Sequence, residues 1–338
     1  MNVESILIIS FSHIGDVVLS TAVIPPLQQF FPNAKINILV GPKASDILWG
    51  DIRFSKIIIY DNKGQHSNIS GLLGLIRELK NMKFDLAINL RDSLWANLIA
   101  KKNWNIPLIK RFSPDYRKMH AVDRYLDILQ SHDIDISSGF PKIHLLDYEN
   151  QQASEFLAHN KIYNNDLIIG IHPGGSWKYK LWPVRRFSAL GDFLAQEFGA
   201  KVLIFAGPDE VDLQLQMAET MKTNPVVVQN VNLRILSALI KRCHLYIGND
   251  TGPMHIASAV GTRVVSLFGS TDANRSGPYG NGHVVISNKL DCSPCHPGKH
   301  PGGCKRGTCL AMESIQFDQV ASVIGKILNE QKQWHITC

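Results

Sequence analysis

The sequence predicts an α/β fold of doubly wound parallel sheets with helices on both faces, and three observations carry that expectation. Short β-branched runs alternate with helix-period stretches along the whole chain. Polar, glycine-bearing turns fall directly after several of the apolar runs, where open parallel sheets bind their ligands. The chain has 338 residues, more than one hydrophobic core usually serves, so two domains are expected.

The elements follow in order. The first half offers strands at 6–10, 36–40, 56–60 and 86–89. The second offers 167–172, 202–205, 226–228, 245–248 and 264–268. Helix-period stretches at 69–81, 186–198 and 233–242 lie between them. Pro25 and Pro26 stand inside what would otherwise be one helix after Asp16, so a break is expected near Ile24. The polar run Tyr163-Asn164-Asn165-Asp166 marks the expected junction. The division is then 1–164, 165–315 and a tail at 316–338, whose amphipathic helix at about 317–333 runs back to brace the first domain.

Bulk properties narrow the function classes. Hydrophobic residues make up 45% and charged residues 19%, ordinary for a globular protein with a sizeable core. The net charge of +6 suits an anionic substrate or a membrane surface and is too small to argue for nucleic acid by itself. Lys101, Lys102, Lys110, Arg111, Arg117 and Lys118 form a basic cluster, readable as a solvated face or as a patch for an acidic ligand. No apolar run is long enough to cross a bilayer, and the N-terminus lacks the pattern of a signal peptide. The expected location is the cytoplasm.

Four segments carry chemistry. Gly248-Asn249-Asp250-Thr251-Gly252-Pro253-Met254-His255 joins an apolar strand to an apolar helix. Such a turn aims amide groups and the positive helix end at an anion, and Gly252 permits close approach. An ordinary capped helix, with Asp250 or Thr251 as the cap, is the plainer alternative. His172-Pro173-Gly174-Gly175-Ser176 follows another strand, and Lys178 and Lys180 after it can place compact positive charge on a diphosphate. Gly207-Pro208-Asp209-Glu210 puts acids at a third helix start, where they could meet sugar hydroxyls or simply serve its first turn. Ser10-Phe11-Ser12-His13-Ile14-Gly15-Asp16 follows the opening strand. Asp16 there is either a helix cap, the reading that spacing alone favours, or an ionised carboxylate able to accept a proton. Neither GxGxxG nor GxxxxGK[ST] occurs, which removes the main support for nicotinamide and P-loop readings.

Cys292, Cys295, Cys304 and Cys309 form a compact group with His296 and His300 nearby. Four thiolates could hold a structural zinc, although one close Cys-x-x-Cys pair is present rather than two. Free thiols are the plainer reading. The only Asp-x-Asp, at Asp133 and Asp135, lies in a polar connection far from the motif loops, so a catalytic metal is not expected.

Taken together in their order along the chain, the four segments resemble glycosyltransferase family 9, the ADP-heptose:lipopolysaccharide heptosyltransferases. The resemblance continues through Leu267-Phe268-Gly269-Ser270-Thr271-Asp272 to Tyr279-Gly280. It implies a GT-B fold, two Rossmann-like domains with parallel sheets facing across a cleft, the first binding the acceptor and the second the nucleotide-sugar. It implies inverting transfer of heptose from ADP-L-glycero-D-manno-heptose to the lipopolysaccharide inner core, without a required cofactor. Asp16 falls on the family's catalytic base and Lys180 on its phosphate-contacting lysine. Ser12, Ser176, Lys178, Asp209, Glu210, Asp250, Thr251, Gly252, Met254 and His255 become the donor-binding set. His13, Lys110, Arg111, Arg117, Lys118 and His120 are the acceptor-side candidates, and transient contact with the cytoplasmic face of the inner membrane follows from a lipid acceptor. The sequence departs from the family at His13, where many members have serine, at Ser10, where many have a basic residue, and at Pro25-Pro26. Rival readings are a transferase using another nucleotide-sugar, a nucleotide-sugar epimerase or hydrolase, and a zinc-stapled nucleic-acid-binding protein.

Overall fold

The computed structural model describes residues 3–10, 13–91, 98–107, 110, 112–295, 304 and 306–336. The chain divides into two compact units, Met1–Asp147 and Tyr148–Cys338.

Among the described residues, the first unit holds five parallel strands: β1 (Ser5–Ile9), β2 (Lys35–Val40), β3 (Lys56–Ile59), β4 (Leu86–Asn89) and β5 (Lys102–Asn105). Their order is β3-β2-β1-β4-β5, and Ile9 stands opposite Asn89. The central strand β1 is apolar on both faces because helices cover both, as parallel sheets require. β5 reads Lys-Asn-Trp-Asn, with no periodicity to reveal it, and pairs only as an edge. Its buried Trp104 stacks on His132 at 4.1 Å. The expected break occurs: the helix Ile14–Ser20 gives way to a 3₁₀ turn at Thr21–Val23 and resumes at Ile24–Phe30. Pro25 and Pro26 then fall in a first turn, where their missing N–H groups cost little.

The second unit holds six parallel strands among the described residues: β6 (Ile168–His172), β7 (Lys201–Ile204), β8 (Val226–Val227), β9 (Leu245–Asn249), β10 (Val264–Phe268) and β11 (Val284–Ser287). The order is β11-β10-β9-β6-β7-β8. The sheets of both units therefore reverse direction beside their first strand, at β1/β4 and at β6/β9. Ligands of open α/β sheets bind beyond the carboxyl ends at such switch points.

The second core forms around Trp182, Phe187, Leu190 and Leu194 against Ile171, Ile247 and Leu267. Trp182 is 1% exposed, packs edge-on to Phe187 with ring centroids 4.9 Å apart, and donates its indole N–H to Ile315 O at 2.9 Å. The helix Val184–Phe198 ends where Gly199 adopts a left-handed φ of 67°, a conformation that favours glycine.

Two boundary expectations are revised by these contacts. The helix Asp147–His159 precedes the polar run at 163–166 yet packs in the second unit, with Glu149 buried against Arg234 at 2.6 Å and Ser154 bonded to Arg242 at 3.2 Å. The tail helix Phe317–Ile336 was expected to brace the first domain. Its Val320, Ala321, Ile324, Ile327 and Leu328 instead enter the core of the second unit, because that apolar stripe completes the packing around Phe187 and Leu194.

Candidate functional site

Three of the four segments singled out in the sequence converge at the carboxyl edge of the second sheet. β9 and β6 are neighbours, with His172 opposite Gly248, so the turn after β9 and the glycine loop after β6 leave the sheet side by side. Asn249, the last residue of β9, is fully buried and ties the two together. Its Nδ2 donates to Pro173 O at 2.9 Å and Gly174 O at 3.0 Å, while its Oδ1 accepts from Trp182 N at 3.1 Å. One amide side chain thus fixes the glycine loop and the start of the Trp182-Pro183 helix. The sequence signal was a polar residue closing a buried strand, which pattern reading treats as turn chemistry.

Lys180 is delivered to this edge by a short 3₁₀ turn, Lys178–Lys180. Its ammonium donates to Asp250 Oδ2 at 2.7 Å, and the Thr271 hydroxyl donates to the same oxygen at 2.7 Å. Asp250 is 6% exposed and Lys180 is half-buried. The helix Gly252–Ala259 begins directly after, with Thr251 as its N-cap in extended backbone and no side-chain cap bond. Of the two cap candidates, Asp250 accepts from Lys180 and Thr271 instead, while Thr251 holds the N-cap position through its backbone, its carbonyl accepting from Met254 N at 3.1 Å. A lysine and an N-terminal helix end both favour negative charge, and here the lysine already meets one carboxylate, that of Asp250.

Glu210 serves the first turn of its helix, one of the two readings its sequence context left open. Its Oε2 lies 2.9 Å from Nε2 of His172, which is 1% exposed, and accepts the N–H of Gly207 at 2.8 Å. Burial alone would raise its pKa, but the His172 imidazole and the N–H groups of Gly207 and Gly175 outweigh burial and hold its carboxyl below the usual value. A Cβ at Gly174 would sit 2.5 Å from the Glu210 carboxyl carbon, so glycine is required for this close approach. Glu210 is thus an internal tie between the loops after β6 and β7.

The remaining donor-side candidates divide by exposure. Ser176, Lys178 and Asp209 are exposed, with the Lys178 ammonium 5.0 Å from the Tyr179 ring centroid. Gly252 is half-exposed and His255 is buried in the first turn of its helix. Met254 is 0% exposed, a core residue whose backbone belongs to the first turn. Ser12 and Arg111 lie outside the described residues.

In the first unit, Asp16 is the third residue of the helix Ile14–Ser20, and His13 is the N-cap without a side-chain bond. Asp16 is thus a first-turn acid and not the N-cap residue itself. Its side chain is 44% exposed, 3.8 Å from His13 Nδ1. Among the basic candidates, Lys110 is paired with Asp127 at 2.9 Å and His120 caps the helix Ala121–Gln130 by accepting from Val122 N at 3.1 Å. Arg117 lies 5.8 Å from the Phe112 ring centroid, and Lys118 is exposed.

The four clustered cysteines line one cavity of about 400 Å³ with Trp177, Tyr179 and Leu310. The cysteines at 292, 295, 304 and 309 are free thiols. Among the described residues no group of three or more His, Cys, Asp or Glu is arranged to hold a metal ion, and His296 and His300 lie outside them. Among the same residues no helix is long and apolar enough to cross a membrane.

Comparison with known proteins agrees with the fold. The family description "Glycosyltransferase family 9 (heptosyltransferase)" matches residues 72–304. Lipopolysaccharide heptosyltransferase 3 of Escherichia coli K12 is 30% identical over 76% of this chain and 80% of its own length. A crystal structure of a family 9 glycosyl transferase from Veillonella parvula superposes with a TM-score of 0.84 at 26% identity, covering 98% of each chain. An E. coli heptosyltransferase solved with ADP-2-deoxy-2-fluoro heptose shares the fold at 16% identity, with a TM-score of 0.69 over 95% of this chain and 99% of that one. With two Rossmann-like units of the GT-B class and these matches, the chain belongs to glycosyltransferase family 9 and is a glycosyltransferase.

Proposed function

We propose that this glycosyltransferase moves heptose from an ADP-activated donor to the lipopolysaccharide core, inverting the anomeric carbon. The observation that carries the donor half is Lys180, held 2.7 Å from Asp250 at the start of the helix Gly252–Ala259 and beside the glycine loop after β6. The names of the similar heptosyltransferases, and the ADP-heptose analogue bound to one of them, support the choice of sugar and nucleotide.

In this reading the diphosphate lies against the N-terminal end of the helix Gly252–Ala259 and takes over part of the Lys180 ammonium. Asp16 accepts the proton of the acceptor hydroxyl as that oxygen attacks the anomeric carbon, and the bond to the diphosphate breaks on the opposite face. Lys180 and the helix end stabilise the departing ADP, a preorganised electrostatic role. Their charge meets that of the leaving group, so the scheme requires no divalent cation. Ser176, Lys178, Asp209 and His255 remain proposed donor contacts, and Glu210 acts through the loops it ties. On the acceptor side the proposed contacts are His13, Lys110, Arg117, Lys118 and His120, of which Lys110 would first have to leave Asp127. A lipid-linked acceptor places the working enzyme at the cytoplasmic surface of the inner membrane.

A thermal-shift screen of ADP-, UDP-, GDP- and CMP-sugars tests the donor, because a ligand's stabilisation grows with the logarithm of its concentration over Kd, to about 2.7 kcal/mol at 100 times Kd. ADP-heptose is expected to raise the melting temperature most; a larger shift with another nucleotide-sugar would replace it. Product analysis with and without acceptor separates transfer from epimerisation or hydrolysis. Asp16→Ala is expected to lower turnover by ~10²–10⁴; wild-type turnover in that variant would remove Asp16 as the base.

A further inference from the structure

The carboxyl edge of the first sheet carries a feature that the motifs did not mark. Arg91 follows β4 by two residues, its N–H donating to Asn89 Oδ1 at 3.2 Å. Tyr60 follows β3 directly, its N–H donating to Val40 O at 2.8 Å. The sheet order is β3-β2-β1-β4, so three strand steps of about 4.7–4.9 Å separate the strands that carry these residues. The Arg91 guanidinium carbon nevertheless lies 5.4 Å from the centroid of the Tyr60 ring. The two side chains must therefore reach toward each other over the carboxyl ends of β1 and β2. That is the side of the switch point from which the Asp16 helix departs.

Tyr60 is itself held in place. Its ring lies 5.9 Å from that of His66, and His66 Nδ1 accepts the N–H of Asp61 at 3.0 Å, closing the turn that follows β3. Arg91 and Tyr60 are both half-buried. A guanidinium resting on an aromatic face is a fixed planar charge, and its fork matches phosphate or carboxylate oxygens better than an ammonium does.

We propose that Arg91, seated on Tyr60, forms an anion subsite on the acceptor side that binds a phosphate or carboxylate group of the acceptor saccharide. The assignment rests on the acceptor reading above. It supplies a positive charge at the sheet edge itself, whereas the basic stretch at 101–118 lies around and beyond the edge strand β5.

The test uses the full chain and a deacylated lipopolysaccharide core oligosaccharide, before and after phosphatase treatment, with direct binding and steady-state kinetics as readouts. Arg91→Gln is expected to weaken binding of the untreated oligosaccharide by ~10-fold or more, the range of charge-assisted bonds. ADP-heptose affinity and the melting temperature should stay at wild-type values. Arg91→Lys keeps the charge without the fork and should fall between. Phosphatase treatment that lowers wild-type affinity to the level of the variant identifies phosphate as the bound group. A deficit in the variant that survives treatment identifies a carboxylate. Equal affinity of Arg91→Gln and wild type for both oligosaccharides overturns the subsite while leaving the acceptor reading intact. A wild-type chain that binds ADP-heptose but neither oligosaccharide overturns the acceptor reading and the subsite with it.

Discussion

At the scale of single residues, the charge arrangement around Asp250 decides what each side chain can do. Asp250 Oδ2 accepts from both Lys180 and Thr271, so Lys180 is already oriented before any diphosphate arrives. Holding a long side chain in one place lowers the entropy lost on binding. Lys180→Ala is expected to lower kcat/KM for ADP-heptose by ~10²–10³, the usual cost of removing one preorganised stabilising group. Lys180→Arg should not restore it, because a planar fork cannot replace a compact ammonium bonded to Asp250. Steady-state kinetics at saturating acceptor measures both, and unchanged values would reject the leaving-group role. Glu210 gives a pH signature of the opposite kind. A carboxyl held below its ordinary value stabilises the fold where it is ionised, above about 4.5, and loses that contribution as pH falls through its lower folded value. Glu210→Gln is therefore expected to be less stable than wild type near neutrality. The difference should shrink as the pH falls below that range, as read by denaturant unfolding across pH. A constant difference at all pH values would mean that the carboxylate charge is not what ties the loops after β6 and β7.

At the scale of elements, buried polar pairs and thiols make separate claims. Arg234 Nε and Nη2 donate to Glu149 Oε1 and Oε2 at 2.6 and 2.7 Å, with both residues almost fully buried, pinning the helix Asp147–His159 to the helix Leu233–Lys241. Removing one partner strands a buried charge, so Arg234→Met should cost about 3–5 kcal/mol in urea unfolding. The double variant Glu149→Leu with Arg234→Met should recover much of that loss; equal instability in both would show that the stranded charge is not its source. The cysteines should label in an order set by exposure. Cys292 is exposed, while Cys295 and Cys309 are half-buried with thiols raised first by burial and then by neighbouring cysteines. Cys243 is buried and its thiol is pushed far up. Alkylation followed by mass spectrometry should modify Cys292 first and Cys243 only on unfolding. Much of this element scale was legible in the sequence. Strands with continuous β-branched runs, such as β1, β9 and β10, announced themselves because burial on both faces demands apolar residues. β5 and β11 did not: one is mostly polar, the other is a short edge strand, and both exist through pairing with a neighbour.

At the scale of the whole molecule, the order of strands in each sheet was beyond the reach of local pattern, since pairing is a long-range choice among strands that look alike. The loops were legible because unusual residues stand there: Gly174, Lys180 and Asp250 each break local expectation. Their partners were not, and neither Asn249, His172 nor Arg91 shows in sequence what it will touch. The same logic sets an expectation for how ligand binding spreads through the chain. Donor contacts in the proposed scheme belong to Tyr148–Cys338, from the loops after β6, β7 and β9, and these loops share ties through Asn249 and Glu210. An ADP ligand that takes up Lys180 should therefore slow backbone hydrogen exchange at 173–182, 207–211 and 250–256 together, because each loop is bonded to another of the set. Protection confined to 250–256 would show that the ties through Asn249 and Glu210 do not couple the loops. Protection centred on Asp16 and Arg91 with none at the β9 turn would place the nucleotide in the other unit and remove the donor assignment altogether.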